Sequence, residues 1–308
     1  MADKNVTAPR FSVVVPTFDR PGQLRTCLEG LARQTLPASA FEIIVVDDAG
    51  TADEAHVVGG WRELEITLLR EDRGGPGAAR NLGATRARGR FLAFIDDDCV
   101  PDPGWLEALD QSVLRQGAIV GGTIENALPS NPYSTTSQLI TSFVYQYHDE
   151  DNSRERFFTT NNLALPREAF EALGGFDTSI PAGTAEDKDL CDRWLAAGGE
   201  LVRARGARVG HAHHLGLGSF VRQHFRYGRG ILCFRVLRRR RHLEDTASIR
   251  PEPWRFYVRL IAFPGQELGG LRGLQGGALA ALSQVATALG CLYAMVFDLR
   301  RTKPAAPG

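Results

Sequence analysis

Phe91-Leu92-Ala93-Phe94-Ile95-Asp96-Asp97-Asp98 joins a run of apolar residues to three adjacent carboxylates. The apolar run has the length and composition of a buried strand. Neighbouring carboxylates repel one another, and neither packing nor strand propensity explains placing three of them at the tip of such a strand. A hard divalent cation does explain it. Mg²⁺ and Mn²⁺ take oxygen ligands, commonly one or two carboxylates together with the oxygens of a substrate diphosphate. A solvated turn after the strand is the plainer alternative.

Working outward, the same arrangement recurs upstream. Phe11–Val15 reads as a buried strand with Pro16-Thr17 behind it, and Phe41–Val46 as another ending in Asp47-Asp48. Asp19 is placed to cap a helix with Pro21 in its first turn. Leu24, Cys27, Leu28 and Leu31 then give that helix one apolar face. A weaker helix (Ala52–Trp61), a strand near Leu64–Leu69 and a helix opened by Gly74–Gly77 and running through Ala78–Arg86 fill the interval. The Gly74–Gly77 cluster matches neither GxxxxGK[ST] nor GxGxxG. Strand–helix alternation of these lengths predicts an α/β fold with a mostly parallel sheet flanked by helices on both faces. Ligands bind at the carboxyl ends of such strands. Pro16-Thr17, Asp47-Asp48 and Asp96–Asp98 are therefore expected to line one crevice.

A polar, Pro-containing stretch, Asn126–Ser137, separates this half from the next. Gln138–Tyr147 reads as helical, Asn161–Leu165 as a strand, and Pro166–Leu173 as a short helix stopped by Gly174-Gly175. Ala185–Ala197 is a helix with Glu186, Asp187 and Asp189 in its first turns, where carboxylates suit the dipole.

The formal net charge of zero conceals a strong asymmetry. From Leu201 onward the chain carries 18 Lys and Arg against 5 Asp and Glu, and the first 200 residues hold the opposite excess. An acidic, metal-binding half and a basic half that meets phosphate or an anionic surface follow from that split. Arg222, Arg226 and Arg229 form one helical stripe with Phe225 and Tyr227 interleaved, and Arg238–Arg241 follows. No RNA- or DNA-binding motif accompanies this charge, so nucleic acid is not the expected partner. Gly273–Phe297 is a stretch of 25 residues without a charge, flanked by Arg272 and Arg300-Arg301. It reads as a membrane-associated helix or helical pair, with a single C-terminal span or a helix packed back on the catalytic domain as alternatives. The five cysteines are scattered without CxxC spacing, which fits a reducing compartment and not a zinc or disulfide framework. The segment MADKNVTAPR lacks the apolar core of a secretory signal, so a cytoplasmic catalytic part is expected, peripheral at the inner face of the membrane.

The segments SVVVPTFDR, EIIVVDDAG, GAARNLGATRARGRFLAFIDDDCVPDPGWLEAL, NNLALPREAFEALGGFD and AEDKDLCDRWLAAGG, in this order and spacing, resemble the family 2 glycosyltransferases. These are inverting enzymes with the Rossmann-like, nucleotide-sugar-binding GT-A fold. The resemblance covers roughly Phe11 to His213 and departs at Ala49-Gly50, where Gly-Ser is usual. It implies that Asp48 contacts the nucleobase and that Pro16, Thr17 and Asp19 close over the nucleoside. Arg80 would lie near the donor, paired with phosphate or with Asp96. Asp96 and Asp97 would face the ribose and diphosphate side, with Asp98 as the direct metal ligand, Asp96 beside it, and His211 (less so His213) completing the site.

On the acceptor side the resemblance makes Asp187 the general base and Glu186 an acceptor contact, with Asn161 and Asn162 on the wall. Asp189, about 200° further round the helix, is the runner-up. Residues 1–215 would be the catalytic domain (nucleotide-sugar half to about 125), and residues 216–308 a basic and apolar helical extension. The expected activity is metal-dependent transfer of a sugar from a nucleoside-diphosphate donor to a hydroxyl of a glycan or lipid-linked acceptor, with Mg²⁺ or Mn²⁺. The rivals are a sugar-phosphate nucleotidyltransferase, which Phe11–Arg20 disfavours by lacking glycine and lysine, and an inactive membrane-bound scaffold.

Overall fold

The computed structural model describes residues 8–152, 157–241 and 252–298. In chain order the elements are β1 (Phe11–Thr17), α1 (Pro21–Ala32), β2 (Phe41–Asp48), α2 (Glu54–Val58), β3 (Ile66–Glu71), α3 (Pro76–Arg86), β4 (Phe91–Phe94), β5 (Cys99–Pro101), α4 (Trp105–Gln116) and β6 (Ile119–Asn126). They continue as α5 (Pro132–Asn152), β7 (Leu163–Pro166), α6 (Arg167–Ala172), α7 (Glu186–Ala196), β8 (Leu201–His211), α8 (Leu217–Arg240), α9 (Trp254–Leu268) and α10 (Gly270–Tyr293). The described residues fall into two compact units. The first lies within Met1–Glu125, Phe157–Phe176 and Leu190–Ala212, and the second within Asn126–Arg156, Asp177–Asp189 and His213–Gly308. The segments read above as the acceptor side are thus divided, and one of them groups with the C-terminal helices.

The first unit is built on one eight-stranded sheet of order β3-β2-β1-β4-β7-β6-β8-β5. Its nucleotide half is parallel, as expected, with β1 between β2 and β4 and β2 beside β3. From β7 on the pairs β4–β7, β6–β7 and β5–β8 are antiparallel, so the sheet is mixed. Alternation along β1, β2 and β4 divides their side chains between two cores. Val13, Val15, Ile43, Val45 and Ala93 pack with Leu24, Cys27, Leu28 and Leu31 of α1 and with Trp105 and Leu109 of α4. Val14, Ile44, Val46, Leu92 and Phe94 pack with Ala79 and Ala84 of α3 and with Phe170. Strands covered on both faces have no polar side, which is why they read as unbroken apolar runs.

Two local expectations change. The segment read as a helix over Ala52–Trp61 shortens to α2, and Asp19 does not cap α1. Arg20 occupies that cap without a side-chain bond. Asp19 instead has a left-handed backbone (φ 53°) and turns its carboxylate toward the loop after β2.

The second unit is helical. Phe143 of α5, Phe256, Leu260 and Phe263 of α9 and Ala280 of α10 form one core; Leu215, Phe220 and Leu279 form another. Helix α10 turns its small residues inward: Gly273, Gly276, Ala280, Ser283, Ala286 and Gly290 are buried. A Cβ at Gly228 would collide with the backbone of Thr287, and one at Gly290 with that of Phe225, so α8 and α10 meet backbone to backbone. Leu279 is buried with them, but other large side chains point the other way, with Leu271 85% and Leu274 73% exposed, and Val285, Leu289 and Leu292 also outward. Helix α9 follows suit with Trp254, Val258 and Ile261 exposed.

His224 of α8 is buried against Phe220 and Tyr227, and its Nε2 has no partner among the described residues. Burial, with a contribution from His213, lowers its pKa to about 4. The folded state therefore holds it neutral, and its share of stability, complete above the unfolded value near 6.5, is lost as pH falls through 4. Unfolding free energy should fall by on the order of 3 kcal/mol between these limits. The same titration on His224→Phe should show a clearly shallower loss, read by urea denaturation at each pH.

Candidate active site

The parallel register brings the three acidic strand ends together. Thr17 pairs with Asp47 across β1 and β2, and the triplet leaves β4 on the other side of β1. The buried Thr17 hydroxyl donates to Asp97 Oδ2 at 2.8 Å, tying the end of β1 to the triplet. Pro16 is buried in register with Val46. Asp19 accepts from the backbone N–H groups of Thr51 (2.5 Å) and Ala52 (2.9 Å), and these bonds hold its pKa below the ordinary range. Asp47 accepts from Gly50 N at 2.7 Å, stabilising a turn in which Ala49 is left-handed (φ 58°). Asp48 accepts from Gly75 N with both oxygens at 3.1 Å, which anchors the loop that opens α3 while leaving the carboxylate half-exposed.

The aspartate triplet is divided among three environments. Asp96 is ion-paired with Arg80, whose guanidinium also lies 5.8 Å from the centre of the Phe176 ring. Arg80 is buried and its Nε has no partner among the described residues. Asp97 is 4% exposed, and burial pushes its pKa up to about 7. Arg20 and Thr17 oppose that rise, and Asp98 and Asp96 reinforce it. Arg20 Nη1 lies 3.3 Å from both Asp97 Oδ1 and Asp98 Oδ2. Asp98 Oδ1 is 3.3 Å from His211 Nε2.

The ladder between β5 and β8 sets that last pair. Cys99 is in register with His211, and the Ala212 N–H donates to the Asp98 carbonyl at 2.8 Å. Burial works against the His211 imidazolium, but the bond to Asp98 and the charges of Asp98 and Asp96 outweigh it, so its pKa is raised.

Asp98, Cys99 and His211 offer ligand atoms within 4.8 Å of one another. A carboxylate and an imidazole fit Mg²⁺ or Mn²⁺, which take their remaining ligands from substrate and water. The Cys99 thiol does not fit, because burial holds it well above its usual pKa and a hard ion gains little from sulfur. Asp96 stands outside this set, occupied by Arg80.

The acceptor-side residues separate. Asn162, expected on the acceptor wall, is 1% exposed in the first unit. Its Oδ1 accepts from Trp105 Nε1 at 2.9 Å, and its Nδ2 donates to Thr123 O at 3.0 Å and Ala207 O at 2.9 Å. An amide with acceptor and both donors engaged inside the core is a structural bracket, not a substrate contact. Asn161 is likewise buried.

Glu186, Asp187 and Asp189 belong to the second unit. Glu186 folds back on the start of α7, accepting from the N–H groups of Gly183, Thr184 (2.6 Å) and Ala185 (3.0 Å). Asp189 is 1% exposed and paired with Arg241. Asp187 is half-buried and accepts from Lys188 N at 2.8 Å. His213 and His214 also fall in this unit.

Sequence reading missed Arg20 and Arg241 as partners of the acidic residues. Arg20 follows Asp19 directly and was legible as a cation beside the triplet; Arg241 lay hidden in a run of like charge.

Residues 12–174 match the family model described as Glycosyl transferase family 2. Glycosyltransferase AglE of Haloferax volcanii is 30% identical over 229 residues, which is 73% of this chain and 73% of that protein. The pre-mycofactocin glycosyltransferase of Mycobacterium tuberculosis is 26% identical over 94% of this chain, which spans 60% of that relative's length. Among solved structures, mannosyltransferase PcManGT from Pyrobaculum calidifontis, in complex with GDP-Man and Mn²⁺, superposes with a TM-score of 0.62 at 20% identity, covering 96% of this chain and 89% of that one. That likeness is one of fold: the GT-A arrangement.

The bracket role of Asn162 has a measurable consequence. Asn162→Leu should destabilise the protein by about 3 kcal/mol, because the Trp105 indole and two carbonyls lose partners in a dry core. Chemical denaturation reads this directly, and an unchanged midpoint would return Asn162 to the substrate wall.

Proposed function

The chain belongs to glycosyl transferase family 2, enzymes that move sugars from nucleotide-sugar donors, and we propose that it is a metal-dependent, inverting member acting on a hydroxyl of a glycan or lipid-linked acceptor. The observation that carries the donor half of this reading is the meeting of Asp98 and His211, the last residue of β8, beside the Asp97–Arg20 pair at the carboxyl ends of the parallel strands β1 and β4. Asp98 and His211 would hold Mg²⁺ or Mn²⁺, which when bound offsets the charge developing on the leaving nucleoside diphosphate. Thr17 and Arg20 orient Asp97. Asp48, anchored through Gly75, keeps lone pairs for a ring N–H of the base. The buried, unpartnered Nε of Arg80 supports a contact to donor oxygens on the Asp96 side.

Inversion by direct displacement needs one carboxylate to take the proton of the attacking hydroxyl. Asp187, half-buried in the first turn of α7 within the segment that resembles the family's acidic acceptor motif, is the carboxylate we assign as that base. Asp187→Asn should retain donor binding and lose about 10³-fold in turnover. Asp98→Asn should instead weaken Mn²⁺-dependent donor binding by about tenfold or more. A thermal-shift panel of GDP-mannose, UDP-glucose, UDP-N-acetylglucosamine and dTDP-rhamnose, each with and without Mn²⁺, identifies the donor and reads the Asp98 effect. Equal turnover for Asp187→Asn and the unmodified protein would refute the base assignment.

The inside-out pattern of α10 supports an anionic membrane surface as partner. Its helix, Gly270–Asp298 with the π-helical turn at its end, is long and apolar enough to cross a membrane. It buries glycine and alanine and exposes leucine, with Arg255, Arg259 and Arg272 among the exposed residues. Outward leucines gain nothing in water, and a contiguous patch of them with a basic rim fits lipid. Co-sedimentation with vesicles containing phosphatidylglycerol should be strong, and should fall at least about tenfold for Leu271→Gln/Leu274→Gln. A protein that stays in the supernatant with vesicles of any composition is not membrane-associated.

A further inference from the structure

We infer that Arg241 is a positioning residue for the acceptor-side carboxylate Asp187. The inference rests on the reading of Asp187 as the base. One guanidinium holds both ends of the segment that delivers it: Nη2 pairs with Asp177 and Nη1 with Asp189. Asp177 also accepts from Ser179 N at 2.8 Å, and Arg241 and Ser179 together outweigh burial to keep its pKa below the ordinary range. Asp189 is buried and stands two residues beyond Asp187 on the first turn of α7, so fixing one fixes the other.

The segment between these ends lies along α8. Arg226 donates to the Ala182 carbonyl at 2.5 Å, and Gly230 passes so close to Thr184 that a Cβ would not fit. The two carboxylates flanking the segment meet at this guanidinium, whose two Nη groups reach one acid each. A lysine ammonium in its place would be a point charge without that geometry. Removing the guanidinium takes the bridge from Asp177 and Asp189 at once, which loosens the turn that carries Asp187. The last arginine of the basic run thus acts within the protein, not on a phosphate surface.

The test compares Arg241→Gln, Arg241→Lys and Asp187→Asn, using nucleoside diphosphate released from the panel donor with water as acceptor. Arg241→Gln should lower kcat about 100-fold, the scale of a small misplacement of a reacting group, with the donor dissociation constant unchanged within about twofold. Arg241→Lys should recover part of that loss. Hydrogen exchange of the Ser179–Asp189 amides should rise about tenfold in Arg241→Gln, while α9, α10 and the strands of the first unit stay protected. Adding Asp189→Asn to Arg241→Gln should restore thermal stability without restoring kcat.

Full kcat in Arg241→Gln, or a kcat restored along with stability in the double variant, overturns the inference and leaves the ion pair a structural bridge. An active Asp187→Asn refutes the base reading separately, and the exchange data still report whether Arg241 orders the segment.

Discussion

Negative charge gathered at one edge of a buried sheet is the constraint that organises the first unit. Asp47, Asp48, Asp96, Asp97 and Asp98 all leave parallel strands at their carboxyl ends, and the fold must find partners for each. It does so unequally. Asp47 and Asp48 take backbone N–H groups of the following loops, which makes them part of the turn architecture. Asp96 takes a buried arginine, and Asp98 shares Arg20 and His211. Asp97 is left with half of an exposed arginine and one hydroxyl against full burial between two other acids. Its high pKa follows, since desolvation penalises the charged form and like charges add to the penalty. An edge so under-neutralised attracts cations, which is the electrostatic content of the proposed donor site.

The second unit handles charge in the opposite way. Among the described residues it pairs acids with arginines: Asp189 and Asp177 with Arg241, and Asp298 with both arms of Arg229 at 2.8 and 2.9 Å. What it leaves unsatisfied is apolar surface. Glycines and alanines line the contacts of α10 because they permit backbone approach to α8, and Leu271, Leu274, Leu289 and Leu292 are thereby turned out. A soluble helix bundle arranges these residues the other way round.

Much of this was written in the sequence. The apolar runs, their acidic ends and the proline after α1's cap position gave the parallel half of the sheet nearly residue by residue, because strands buried on both faces and helices with one apolar stripe have short-range signatures. β5, β6 and β8 were not foreseen. They are short or irregularly patterned (β8 alternates buried and exposed positions unevenly), and their pairing is antiparallel and long-range. Helix α9 lies within the expected helical extension but was not singled out in it, because Arg255, Arg259 and Pro264 break its run of apolar residues.

The sequence by itself determined which chemistry the chain carries: aspartates at strand tips, an acidic helix start, a basic stripe and a charge-free segment. Those are local properties, set by covalent order and the period of each element. Which acids remain available for chemistry was decided only by the tertiary structure. The strand register brought His211 to Asp98 across more than a hundred residues, core packing engaged the side-chain amide of Asn162, and the end of α8 set Arg241 on Asp189. A side chain's role depends on what neutralises it, and those partners come from distant parts of the chain that only folding brings within reach.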